Sequence, residues 1–220
     1  MAFRSAAYAS LLVLAAACAS APATQGAPSA VPTTEATRAA PSTTDAPKPA
    51  GPVWQSTPLG LRHTGTGLTC APQIFDFVFT GEKTYPGLPE GQDVSCSYGA
   101  GEGGAVTVYL TNFGRAVSPG AHLKGTETSI SNIFTRADPL PPPRRPDGEP
   151  VAASGSAFAI DAVSPVRPGV PVQTVVWIET IGAWHVKIRA TYEADRARAV
   201  AALSGYLIDE ARASLSTPPA

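Results

Sequence analysis

The chain has 220 residues, with 16 Lys and Arg set against 17 Asp and Glu for a net charge of −1. The two signs are interspersed, which excludes the concentrated basic footprint of a nucleic-acid binder. Hydrophobic residues make up 44 % of the sequence, and there are three cysteines, Cys18, Cys70 and Cys96.

The N-terminus reads as a targeting signal. Arg4 precedes the apolar run Leu11-Leu12-Val13-Leu14-Ala15-Ala16-Ala17, which ends at Cys18. A basic start, a short apolar core and small residues at the cut are the parts of a secretory signal peptide. The run falls short of the roughly 20 apolar residues that span a bilayer. Leu14-Ala15-Ala16-Ala17-Cys18 resembles the bacterial lipoprotein box, with Ala15 where an aliphatic residue usually stands. That resemblance implies a signal peptide over residues 1–17 and a palmitate-bearing lipid on Cys18, which would hold the protein in a membrane. A cut after Ala19 or Ala21 competes with it and would release a soluble periplasmic protein. Lipidation at Cys18 or a cut after Ala21 leaves the domain an even pair of cysteines. Ala19 replaces the Asp that retains lipoproteins at the inner membrane, so the expected address is the cell envelope, on the periplasmic side of the outer membrane.

Residues 18–51 are mostly Ala, Pro, Ser and Thr, with almost no large apolar side chain. Such a segment buries too little to offset its ordering entropy, and it reads as a disordered tether. From residue 52 to 216 aromatic and β-branched residues return, at a length that suits one domain with its own core. Residues 217–220 read as a disordered tail.

Within the domain, Gly60–Ala71 and Phe75–Thr80 read as strands, the second with Phe75, Phe77 and Phe79 on one face. Asp93–Tyr98 and Ala105–Asn112 predict a hairpin around the glycine cluster Gly99–Gly104. Ser118-Pro119 is a helix start, Ser as cap and Pro in the first turn, and Leu123, Ile130, Ile133 and Phe134 place a helix over about 119–136. The proline-rich stretch Asp138–Pro150 reads as an extended loop. Strands over Ser156–Val163, Val172–Thr180 and Ala183–Thr191 follow, the last two joined at Ile181-Gly182. The amphipathic spacing of Val200, Leu203, Leu207 and Ala211 predicts a closing helix over about 194–215.

Strands joined by short turns and two helices predict an α+β fold, a mainly antiparallel sheet with the helices packed on it and one disulfide. The element order, above all the closing strand–turn–strand–helix from about Ser156, resembles the PsbP-like fold of extrinsic photosystem subunits and other small α/β/α proteins. The resemblance implies an α/β sandwich and carries no functional residue, because no motif accompanies it.

Few residues offer chemistry. Cys70 and Cys96 in an oxidising compartment read as a disulfide, since a redox pair favours Cys-x-x-Cys and zinc needs more ligands at close spacing. The glycine cluster fits G-x-G-x-x-G, but a strand follows it where dinucleotide binding needs a helix, so it reads as a hairpin tip. His185, Lys187 and Arg189 alternate with Trp184, Val186 and Ile188, which puts three basic groups on one sheet face. That stripe is either a surface for an anionic ligand or an acidic partner, or a solvated face bridged to carboxylates such as Glu193 and Asp195. Thr174, Val176 and Ile178 are expected on the same face. His63 and His122 lack the spacing of a metal site, and no catalytic motif is present, so no catalytic residue, metal or cofactor is assigned. Trp54, Trp177 and Trp184 read as core or near-core. Leu140–Pro146 resembles a proline-rich ligand for an aromatic groove, but reads first as a stiff loop.

The reading is an exported, lipid-anchored envelope protein: a non-enzymatic binding or assembly module with a membrane attachment through its lipid and an envelope protein as partner. The alternative is a periplasmic small-ligand-binding or hydrolytic protein with its site near His185, Lys187 and Arg189.

Overall fold

In the computed structural model the described residues are 51–216, apart from 102, 165 and 166. The expected signal peptide over residues 1–17, Cys18, most of the expected tether and the expected tail 217–220 lie outside them.

The domain is α+β, with two helices packed on a large antiparallel sheet. A small sheet comes first, built from β1 (Trp54–Thr57), β2 (Gly60–His63) and β3 (Thr69–Cys70). The main sheet starts with a meander, β4 (Gln73–Ile74), β5 (Phe77–Thr84), β6 (Asp93–Ala100) and β7 (Gly104–Thr111). Helix α1 (Pro119–Ile133) then carries the chain to the opposite edge. There β8 (Ala137–Leu140), β9 (Ser154–Val163), β10 (Pro171–Ile181) and β11 (Trp184–Glu193) form a second meander, which returns to the centre. The eight-stranded order is β4-β5-β6-β7-β11-β10-β9-β8, so the meanders join where β7 pairs with β11. A 3-10 turn at Ala194–Arg196 leads into the closing helix α2 (Ala197–Ser216).

Period-2 alternation decides what each face holds. Val106, Val108 and Leu110 of β7 and Val186, Ile188 and Ala190 of β11 point to α2, which seals them with Val200, Leu203, Leu207 and Ile208. Val175 and Trp177 of β10 join that core, while Val176 and Ile178 turn to the other face and meet Ile130 of α1. The small sheet extends the α2-side core through Leu68 and through the disulfide Cys70–Cys96, which spans 26 residues of chain.

Several local features depart from the sequence reading. The stretch Gly60–Ala71 is two short strands around a turn, where Gly67 takes a positive φ of 77°. Phe75 does not share a strand face with Phe77: it occupies the β4–β5 turn at φ 55° and is 61 % exposed, while Phe77 is fully buried. Helix α1 begins as expected, with the Ser118 side chain accepting from the Ala121 amide at 3.2 Å, but stops at Ile133 so that Phe134 reaches the core and the chain reaches β8. That edge strand takes in the start of the proline-rich stretch Asp138–Pro150, whose six prolines predict an extended loop; an edge tolerates Pro139, which donates no ladder bond. Strand β1, Trp54–Thr57, precedes the first strand that the sequence predicts. Arg145 of the proline-rich loop docks on α2, where its guanidinium donates to both carboxylate oxygens of Asp209 at 2.6 and 3.0 Å.

A candidate ligand-binding face

Helix α1 packs on β9 and β10, whereas α2 packs across β7, β10 and β11 on the opposite face. On the α1 side, therefore, the neighbouring strands β11, β7, β6 and β5 present a polar surface. Antiparallel register arranges it in rungs. Lys187 stands opposite Tyr109, Tyr109 opposite Ser95 and Ser95 opposite Lys83. The next rung runs Arg189, Thr107, Ser97 and Gly81, and the rung on the other side runs His185, Thr111 and Asp93. Strands about 4.8 Å apart put Lys83 and Lys187 about 14 Å from each other along the rung. Lys187 and Arg189 are neighbours on one strand, about 7 Å apart.

Side-chain contacts pre-order this face. The Lys187 ammonium lies 4.2 Å from the Tyr109 ring centre, and the Lys83 ammonium 4.9 Å from that of Tyr85. Tyr85 and Tyr109 lie with ring centres 6.0 Å apart, and the Tyr85 hydroxyl is 3.2 Å from Ser95 Oγ. Ser97 and Thr107 share a hydrogen bond of 3.0 Å across the second rung. Burial, reinforced by Tyr85, pushes the Tyr109 phenol up to about 12, so it stays a neutral hydroxyl at any physiological pH. Each cation thus sits on an aromatic face, beside hydroxyls that both donate and accept.

His185 ends the stripe differently from its two cationic neighbours. It is buried, and it meets His122 from the first turns of α1, with Nδ1 to Nδ1 at 3.3 Å. Phe113 packs edge-on against both rings, with centres 5.3 Å from His122 and 5.1 Å from His185. Burial, then the Lys187 and His185 charges, lowers the His122 pKa to about 4. Burial lowers that of His185 as well, against the opposing pull of the Val117 carbonyl. Both rings are neutral at pH 7. Asp93, one rung-mate away, accepts from Thr111 Oγ1 at 2.9 Å, and burial raises its pKa against that bond and the nearby Lys187.

Among the described residues Glu193 and Asp195 pair with Arg167 rather than with Arg189. Glu193 is buried at the end of β11, where the Arg167 guanidinium and the Ser164 hydroxyl both donate to it, and Arg167 also pairs with Asp195 at 2.8 Å. These bonds hold the Glu193 carboxyl below its usual range. Arg189 makes no ion pair among the described residues. The cluster around Glu193 also explains one glycine of the hairpin tip: Gly103 has φ +84° and a Cβ there would collide with Glu193 Oε2. The glycine cluster serves chain packing at this point, and β7 follows it as expected.

The third histidine, His63, lies on the α2 side. It is 1 % exposed, hydrogen-bonds through Nδ1 to Thr66 Oγ1 at 2.8 Å and lies between Trp54 and Trp184. Burial lowers its pKa to about 4, against a backbone hydrogen bond at Gly91. Trp177 is core, and Trp54 and Trp184 are half-buried against it. A separate shallow groove of about 470 Å³ runs between α1 and the β8–β9 edge, lined by Lys124, Glu127, Leu140 and Phe158. It lies apart from the rungs and holds no histidine.

Sequence periodicity placed His185, Lys187 and Arg189 on one face, together with Val176 and Ile178. It did not bring in Tyr109, Tyr85, Ser95 or Lys83, because cross-strand register is set by turns distant from β11. Nor did it pair His122 with His185, which are 63 residues apart. Among known proteins, the chain matches no family model, no curated protein and no solved structure.

Proposed function

We propose that this chain is an exported envelope lipoprotein, anchored through Cys18, whose domain is a non-enzymatic binding module that takes an anionic partner on the open sheet face. The observation that carries the reading is the pair of rungs: Arg189 without an ion pair among the described residues, and Lys187 and Lys83 each seated on a tyrosine, all on the sheet face opposite α2 and on strands beside those that α1 covers. Cations pre-ordered beside hydroxyls favour a ligand with carboxylate or phosphate groups, and their spread of about 14 Å along the rung favours an extended one over an enclosed small molecule. The lipoprotein-box sequence and the tether support the address: a binding face is of most use when held clear of the membrane that anchors it.

The test is complementation of a deletion strain. Lys187→Gln/Arg189→Gln, expressed at the wild-type level and correctly located, is expected to fail, and Cys18→Ser is expected to lose palmitate labelling and leave the membrane fraction. Full complementation by the double variant would overturn the binding face. Palmitate labelling that survives Cys18→Ser would overturn the anchor.

A further inference from the structure

The chain has three histidines, and two of them meet nitrogen to nitrogen although they come from different elements. The 3.3 Å separation of His122 Nδ1 and His185 Nδ1 is longer than the usual hydrogen-bond range of about 2.7–3.2 Å for an N–H donor. It matches another geometry. Two imidazole nitrogens that each lie about 2.0–2.1 Å from one tetrahedral ion are about 3.3–3.4 Å apart. We propose that His122 and His185 form a two-histidine site for a divalent transition-metal ion of the zinc or copper type, bound through both Nδ1 atoms.

The surroundings suit a ligand pair. Both rings are shielded from water, His185 buried and His122 half-buried, and neutral imidazole is the form that coordinates a metal. Phe113 holds both rings edge-on, so little side-chain entropy remains to be lost on binding. The Val117 carbonyl acts on the His185 ring as a hydrogen-bond acceptor, the kind of outer partner that orients a ligating imidazole. His185 sits in a strand and His122 in a helix, so both ligands stand on rigid elements. Imidazole favours zinc, copper and nickel over magnesium or calcium, which prefer oxygen. No third His, Cys, Asp or Glu joins the pair among the described residues. The remaining positions therefore fall to water or to an incoming ligand, as in sites that keep open coordination. His122, half-buried, is the solvent side of the site. This site is independent of the anion-binding reading.

The experiment is a zinc titration of the untagged full chain by calorimetry, with Cys18 changed to Ser throughout so that no free thiol competes, followed by electron paramagnetic resonance of the copper-loaded protein. One zinc per chain is expected, with a copper spectrum showing coupling to two imidazole nitrogens. His122→Gln, on the half-exposed helical side, is expected to weaken zinc binding at least tenfold while leaving the far-ultraviolet dichroism and the zinc-free Tm unchanged. His185→Gln checks the other ligand. No saturable zinc binding, or binding of unchanged strength in both variants, would overturn the site.

Discussion

The two faces of the main sheet are built from the same strands yet organised for different ends. Among the described residues, 26 buried ones on the α2 side form one cluster that runs from the small sheet through β6, β7 and β11 to the helix, whereas the cluster under α1 has six. Alternation along β11 makes the contrast local: Val186, Ile188 and Ala190 are buried in the larger core, and Lys187 and Arg189, one residue away, lie on the open rungs. The α2 face supplies stability. The far side frees half of a stable sheet to present charge, hydroxyls and aromatic rings at fixed spacings. A flat, rigid binding surface needs such a backing, because its own side chains contribute little to folding.

This contrast breaks first, and most severely, at Ile188. Its side chain is fully buried, and Ile188→Ala should cost about 2–5 kcal/mol, read as a lower denaturant midpoint in chemical unfolding. Next in size is the Cys70–Cys96 disulfide, which ties the small sheet to β6. Replacing both cysteines by Ala should cost about 3–4 kcal/mol on a chain-entropy model, with unfolding again the measure.

His63 sharpens the same face through pH. Its folded pKa of about 4 lies below the ordinary histidine value of 6.5, so the fold resists a proton that the unfolded chain accepts. Stability conferred by the neutral ring is full above pH 6.5 and is lost as pH falls from 6.5 toward 4, by about 3 kcal/mol in total. His63→Gln should flatten this part of the stability–pH curve; an unchanged slope would assign the acid sensitivity elsewhere. The smallest expected effect on stability is that of Arg189→Ala, within about 0.5 kcal/mol of wild type, since no ion pair is lost. A large destabilisation there would mean that the open face is part of the core after all.

The legible part of this molecule was what period alone controls. Alternation at residues 184–189 separated the basic stripe from the core, Ser118-Pro119 marked the start of α1, and Cys70 and Cys96, read as a pair, are bonded. Misreadings came where one residue answered to two constraints. Phe75 continued an alternating pattern but lies in a tight turn, and Pro139 argued against a strand that is permitted because it lies at the edge. The remainder of the binding face was illegible for a different reason. Tyr109, Ser95 and Lys83 join Lys187 only through the registers of three strand pairs, and His122 reaches His185 only after α1 has crossed the sheet.

The central claim is that the open rungs of β5, β6, β7 and β11 bind an anion. It is tested most directly by titrating the full chain with inorganic tripolyphosphate while following the Lys187 ammonium and Arg189 guanidinium signals by nitrogen-15 nuclear magnetic resonance. Saturable shifts of both, weakened at least tenfold in Lys187→Gln or Arg189→Gln and by added salt, are the predicted result. Binding of the same strength in the Lys187→Gln/Arg189→Gln double variant, or no shift at either residue, would contradict it.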